Sequence, residues 1–371
     1  MKIKSSPAKV ICKNRNSRHN YFAWPTVGRL RNGKLAVVAS GFRTGHVCPF
    51  GKSVICFSEN EGETWTPPAV LIDTPLDDRD SGIMAFGESS VIVTSFTNGI
   101  DFQRWTNESE KDATHKDTYA YIEEYLKLPA VKEGEDKFFG STCVISNDNG
   151  VTWSDVIKLP VAAPHGPCRL NDGTLLFFGV RNKYGPDKKF LDFQLVTTIE
   201  CHRIFPDGRT EFVCEIENVP EALFTEPHAV QLSSGKIIVH IRAQKGWRDI
   251  SIFSVYQCES DDLSKGFTTP HRILPPEGGA PSHLIELSNG MLMSTYSYRK
   301  SPFAIKAMFS KDEGKTWDYD NVVYQNPESG IDMGYPTSVE LSDGKILTTF
   351  YSSETETSPK EIMQTVWSYE E

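Results

Sequence analysis

An all-β chain closed into a six-bladed β-propeller is predicted by five copies of one hairpin signal, a degenerate sixth copy, and three copies of a second turn motif. The first signal is an apolar residue, two turn residues, a glycine and an apolar strand. It starts at Leu30, Leu170, Leu232, Leu287 and Leu341, with its glycine at Gly33, Gly173, Gly235, Gly290 and Gly344. The degenerate copy runs from Phe86 through Gly87 to Val91. Asn-Gly or Asp-Gly between alternating apolar residues favours the tight turn that joins antiparallel strands. One such hairpin per blade gives six blades.

The second motif links Ser58, Asn60, Gly62, Thr64 and Trp65. It recurs as Ser146, Asp148, Gly150, Thr152 and Trp153, and as Ser310, Asp312, Gly314, Thr316 and Trp317. Its logic is local: the Asp or Asn side chain bonds turn backbone, the glycine takes a positive φ, and the tryptophan packs between sheets. It is a hairpin device between outer strands, and none of its residues is a candidate for chemistry. Together the two motifs place blades at about 20–70, 76–158, 160–216, 219–270, 275–322 and 325–371, in one domain spanning 1–371. A first strand near Ala8 to Lys13 is expected to join the last blade and close the ring.

Blade two carries an insertion at about 100–138. Within it the stretch from Thr114 to Leu128 reads as a helix. Thr114 and Asp117 resemble a capping box, Tyr119, Ile122 and Leu126 share a face, and Pro129 ends it. The insertion covers the tunnel mouth, meets a second copy of the chain in a homo-oligomer, or decorates the surface.

The 371 residues carry a formal charge of −10 with 24% charged and 39% hydrophobic residues. That balance argues against nucleic acid as a partner, since phosphate binding needs a dense Lys/Arg surface. It leaves an anionic small substrate open, because a few buried arginines set the local field. No apolar run of membrane-spanning length is present, nor an N-terminal apolar stretch typical of secretion. The expectation is a cytoplasmic chain without a membrane partner, or a secreted or periplasmic one if a leader has been removed. The eight cysteines form no C-x-x-C pair and read as buried reduced thiols. No cofactor is expected.

In a propeller the inner strands start at one face, and side chains there converge on the central tunnel. Seven to nine residues before the repeat glycines stand Trp24-Pro25, Pro164-His165, Glu226 with Pro227 and His228, Pro281 with Ser282 and His283, and Tyr335-Pro336. Blade two offers Asp77, Asp78, Arg79 and Asp80. Glu, Tyr, three His and an acidic cluster at equivalent places suggest a functional mouth.

With these residues in place the chain resembles the sialidase (neuraminidase) superfamily, six-bladed propellers with Asp-box (BNR) repeats. The resemblance implies an arginine triad for a substrate carboxylate, a tyrosine nucleophile, a glutamate as its base and an aspartate acid/base. By position, Tyr335 matches the nucleophile, Glu226 its base, and Arg242 and Arg299 two triad members. The paired donors of arginine suit a carboxylate, and a neutral nucleophile avoids setting a carboxylate against an anionic sugar.

Two elements depart from the family. Its first triad arginine is replaced by Ala23-Trp24-Pro25, leaving Arg43 or Arg79 as substitutes. The loop from Arg43 to Lys52 has no aspartate, so His46, Asp78 or Asp80 is the candidate for proton transfer. His165, His228 and His283 are candidate sugar contacts. The leading expectation is a retaining, exo-α-sialidase-like glycoside hydrolase acting on an anionic sugar. Two alternatives stand beside it. One is a metal-assisted lyase or hydrolase on uronic-acid glycans, with His46, His165, His228 and His283 around one cavity and Cys48 and Cys168 nearby. The other is a non-catalytic carbohydrate-binding propeller.

Overall fold

A computed structural model describes residues 1–181, 198–246, 249 and 251–370. It has six antiparallel sheets; five run outward in chain order from the inner strand, and the sixth takes its outermost strands from the N-terminus. The inner strands are Tyr21–Arg29, Asp77–Phe86, Cys168–Arg169, Leu223–Gln231, Ser282–Glu286 and Gly334–Glu340. Two strands ahead of the first blade close the ring. Lys9–Cys12 pairs with residues 362–364, and Lys2–Ser5 with residues 367–370, both on the last strand, Glu361–Glu370. The first was expected from the sequence. The second was not, although Met1 and Ile3 alternate with Lys2 and Lys4 and pack against the last blade's core.

The core lies between blades, so middle strands are buried on both faces. Leu35–Arg43 is almost wholly buried, whereas the outer strand Thr210–Ile216 is mostly half-buried or exposed. Phe178, Phe224 and Val239 pack between blades three and four, and Phe309, Phe350 and Trp367 between five and six. Each such side chain removed from water contributes about 1.5–3 kcal/mol. The Asp-box turns form as their chemistry dictates. Asp148 accepts from the Thr152 N–H at 2.8 Å and its hydroxyl at 2.6 Å, while Ser146 Oγ accepts from the Gly150 N–H at 2.8 Å. Trp65 Nε1 donates to Gln364 at 2.8 Å and Trp317 Nε1 to Gln257 at 3.0 Å, tying each blade to its predecessor around the ring. These turns lie between third and fourth strands, on the face opposite the inner-strand starts.

The blade-two insertion holds three helices: α1 (Ile100–Ser109), α2 (Tyr119–Leu126) and α3 (Pro129–Phe138). The helix expected from Thr114 therefore begins five residues later. His115 is buried, and its N–H bonds Glu110 O at 3.0 Å, so turns occupy the stretch where a capping box was expected. Pro129 ends α2 as expected but also opens α3, where its missing N–H does no harm. The insertion rests on the blade-one loop 44–51: Phe50 stacks on Tyr121, and a Cβ at Gly45 would lie 2.8 Å from Thr114. No helix among the described residues is long and apolar enough to cross a membrane.

Candidate active site

Four inner strands start with the same distortion. Trp24, Asp80, Glu226 and Tyr335 have φ of 54°, 45°, 50° and 50°, each inside a break in the pairing register. Left-handed backbone at a bulky residue costs about 1–3 kcal/mol and persists only when its surroundings enforce it. A bulge re-aims a side chain out of the pleat, here toward the tunnel mouth. Pro25, Pro227 and Pro336 follow three of the four; lacking an N–H, they lose no ladder bond at the break.

Two of these side chains meet. Tyr335 Oη donates to Glu226 Oε1 at 2.6 Å. Arg242, on the second strand of blade four, reaches both Glu226 oxygens at 2.8 Å from Nη1, which also lies 3.2 Å from Tyr335 Oη. Burial, and then the Glu226 charge, push the Tyr335 phenol well above its ordinary range, with Arg242 and Arg299 opposing. The tyrosine is thus protonated at rest, its proton aimed at a carboxylate able to receive it. Arg299 lies 5.3 Å from the Tyr335 ring and 5.9 Å from that of Phe253. Its Nε and Nη2 are buried without a hydrogen-bond partner among the described residues. The Tyr335 N–H is anchored to Ser297 Oγ at 2.9 Å. Only glycine fits before it: Gly334 has φ 121°, and a Cβ there would sit 2.3 Å from Ser297 Oγ.

The blade-two cluster divides by role. Asp80 is 3% exposed, 3.7 Å from Arg79 Nε, and burial pushes it up to about 7, with the Glu226 charge adding to the rise. Asp78 does not join the Tyr335–Glu226 pair. Its carboxylate accepts from the Thr74 N–H at 2.7 Å and hydroxyl at 2.9 Å, bracing the turn between blades one and two. Asp77, wholly buried, pairs with Arg43 at 2.6 Å.

Arg43 is likewise drawn away from substrate. Besides Asp77, it donates to Ser40 Oγ and to the carbonyls of Gly45, His46 and Asp78. Each of its three nitrogens is engaged, so it holds the 44–51 loop and leaves no fork for a ligand. Arg79 stands nearer the mouth, 4.1 Å over the Trp24 ring, with Nη1 on His46 O at 2.8 Å.

His46 is on the rim, its side chain 44% exposed, and packs edge-on to Trp24 at 5.0 Å. Its Nδ1 lies 2.9 Å from Tyr21 Oη and 3.2 Å from Asp332 Oδ1. Asp332 also accepts from Tyr21 at 2.9 Å and from Tyr351 at 2.9 Å. Burial raises the Asp332 pKa, but the His46 charge and hydrogen bond, Lys360 and Tyr21 outweigh it and hold the carboxyl below its usual range. Sequence reasoning missed Asp332, Tyr21 and Tyr351. One available signal was spacing: Tyr21, Asp77 and Asp332 each stand three residues before a distorted position.

His165, His228 and His283 are brought together, but in the tunnel below the mouth. His228 and His283 stack at 4.2 Å between centroids, and His165 meets them edge-on at 5.7 and 5.6 Å, 6.1 Å from Tyr335. His228 Nδ1 accepts from the Leu284 N–H at 3.0 Å and His283 Nδ1 from that of Ser338 at 3.4 Å, binding blades four, five and six. Burial lowers all three, His228 to about 3, so the rings are neutral. Among the described residues no group of three His, Cys, Asp or Glu is arranged to hold a metal ion. Cys48 and Cys168 are buried free thiols.

No protein-family model and no curated protein matches the chain. Among solved structures, a protein of unknown function from Dyadobacter fermentans aligns at 19% identity over 99% of each chain, with a TM-score of 0.73. The NanB sialidase from Streptococcus pneumoniae aligns at 13% identity over 98% of this chain and 70% of its own, with a TM-score of 0.64. An α-L-arabinanase from Penicillium chrysogenum aligns at 14% identity over 98% of each, with a TM-score of 0.63. At these identities the likeness is one of fold: the chain is a six-bladed β-propeller of the kind that sialidases have.

Proposed function

We propose that the chain is a retaining glycoside hydrolase acting on a sugar that bears a carboxylate, with Tyr335 as nucleophile and Glu226 as its base. One observation carries this reading. A tyrosine hydroxyl 2.6 Å from a carboxylate lies beside Arg299, a guanidinium with two buried nitrogens unpaired among the described residues. Buried, unmet guanidinium donors are costly, and a ligand carboxylate between Arg299 and Arg242 would relieve them. Arg242 shares its Nη1 with Glu226 and Tyr335, so it ties the nucleophile to the place where the anion binds. The mechanism follows from these contacts. Tyr335 attacks the anomeric carbon as its proton passes to Glu226, giving a covalent glycosyl-enzyme that water then hydrolyses. Asp80 and His46 are the two candidates for the leaving-group proton. A neutral sugar would leave Arg299 unpaired, which favours sialic-acid-type or uronic-acid substrates over an arabinan. The test is a screen of aryl glycosides of sialic acid, its deaminated analogue, uronic acids and arabinose. Turnover is expected only for the carboxylate sugars, with loss of at least about 10³-fold in Tyr335→Phe. A Tyr335→Phe protein with wild-type turnover would sink the reading.

A further inference from the structure

Of the two candidates for the leaving-group proton, His46 is the more exposed. Asp80 lies deep in the ring of distorted residues and is 3% exposed. The aglycone of a glycan must point out of the mouth, toward the rim, and His46 is on that rim with its side chain 44% exposed. The geometry around His46 also determines which ring nitrogen faces outward. Nδ1 is turned inward to Tyr21 Oη and Asp332 Oδ1. Tyr21 Oη donates its own proton to Asp332, at 2.9 and 3.1 Å from the two carboxylate oxygens. Both neighbours of Nδ1 are therefore acceptors, so Nδ1 carries a hydrogen and Nε2 is the nitrogen available to a ligand. Tyr351 donates to the same carboxylate at 2.9 Å and lies 6.1 Å from the Tyr335 ring. Trp24 packs against both, 5.0 Å from His46 and 6.5 Å from Tyr335.

We infer that His46 and Asp332 form a proton-transfer dyad serving Tyr335: His46 Nε2 meets the leaving group, and Asp332, itself held by Tyr21 and Tyr351, is its positioning residue. The inference rests on the glycoside-hydrolase reading above. In the first step Tyr335 Oη bonds to the anomeric carbon and its proton goes to Glu226. The bond from that carbon to the leaving oxygen breaks, and this oxygen keeps the electron pair and takes the proton from imidazolium Nε2. In the second step water attacks the same carbon and gives a proton back to Nε2. The carbon–Tyr335 bond breaks, and the phenolate recovers its proton from Glu226. The sum is hydrolysis, with every protein group restored. Asp332, its side chain 29% exposed, stabilises the imidazolium and fixes the ring, as a carboxylate partner does for a catalytic histidine.

The experiment compares leaving groups on one sugar, the best substrate of the screen, as its 4-nitrophenyl and its methyl glycoside. A proton donor matters little for 4-nitrophenolate and greatly for methoxide. His46→Gln is expected to lose roughly 10²–10⁴-fold on the methyl glycoside and less than about 10-fold on the 4-nitrophenyl glycoside. Asp332→Asn and Tyr21→Phe are expected to follow the same pattern, less steeply. Tyr21→Phe keeps the ring in place, which covers the case that Asp332→Asn does not fold. Nitrogen-15 NMR of the wild type is expected to find neutral His46 as the Nδ1–H tautomer. Equal losses on both glycosides, no loss on either, or an Nε2–H tautomer overturns the dyad while leaving Tyr335 in place. A wild type that cleaves no glycoside, or an unimpaired Tyr335→Phe, overturns the hydrolase reading first and the dyad with it.

Discussion

At the scale of single residues, the two arginines nearest Tyr335 are opposites. Arg242 is paired with Glu226 in a largely buried ion pair, its side chain 15% and its partner's 19% exposed. Arg299 has two buried nitrogens with no partner among the described residues. Arg242→Ala leaves Glu226 uncompensated and is expected to destabilise the fold by about 2–4 kcal/mol, read as a lower urea midpoint. Arg299→Met removes an unmet cation. It is expected to leave stability unchanged or raise it by about 1 kcal/mol while abolishing binding of a carboxylate sugar, which urea denaturation and titration calorimetry report separately. Matched losses of stability in both variants would contradict the assignment of Arg299 to a ligand. Glu226 and Tyr335 were legible at the inner-strand starts of the repeat, and Arg242 and Arg299 through the resemblance to sialidases. For Arg43 and Asp78, spacing places a side chain near the mouth but cannot say what it bonds. Asp77 and Thr74 claim them.

At the scale of elements, the strained strand start is the unit of the site. Gly334→Ala tests it without touching any reacting group. With φ at 121° and a Cβ 2.3 Å from Ser297 Oγ, alanine forces the backbone of Tyr335 to move. A stability loss of about 1–3 kcal/mol is expected, with a fall in kcat larger than any change in KM; an unchanged kcat would mean that the bulge does not aim the tyrosine. The hairpins and Asp-box turns were readable in the sequence because their hydrogen bonds close within a few residues, as from Asp148 to Thr152. The start of α2 was not, because the burial of His115 beneath the loop at Gly45 depends on a segment about seventy positions away and overrides a local capping signal.

At the scale of the whole molecule, four neutral histidines lie inside the ring. Burial lowers His165 and His283 well below the ordinary imidazole value, and His228 and His240 to about 3. For such groups the unfolded chain takes up protons first. Their contribution is complete above about pH 6.5 and is lost as pH falls from there toward 3. Asp78 and Asp80, raised to about 7 by burial, act in the opposite direction: protonated in the fold, they add stability as pH falls from 7 toward 3.8. Four groups against two predict a net loss on acidification between about pH 6 and 4. Urea midpoints measured across that range would show it, and a flat or rising profile would contradict it. Taken alone, the sequence determined the blade count, the hairpin turns, the ring closure by Lys9–Cys12 and the four inner-strand positions that carry Trp24, Asp80, Glu226 and Tyr335. Those follow from chemistry that acts over a few residues and repeats. Only the tertiary structure decided that Asp332 reaches His46 across 286 positions, that two Arg299 nitrogens are left unpaired among the described residues, and that His165 meets the stacked His228 and His283 edge-on beneath the mouth. Radial closure of the sheets brings such groups together, and no local pattern encodes the distance between side chains on different blades.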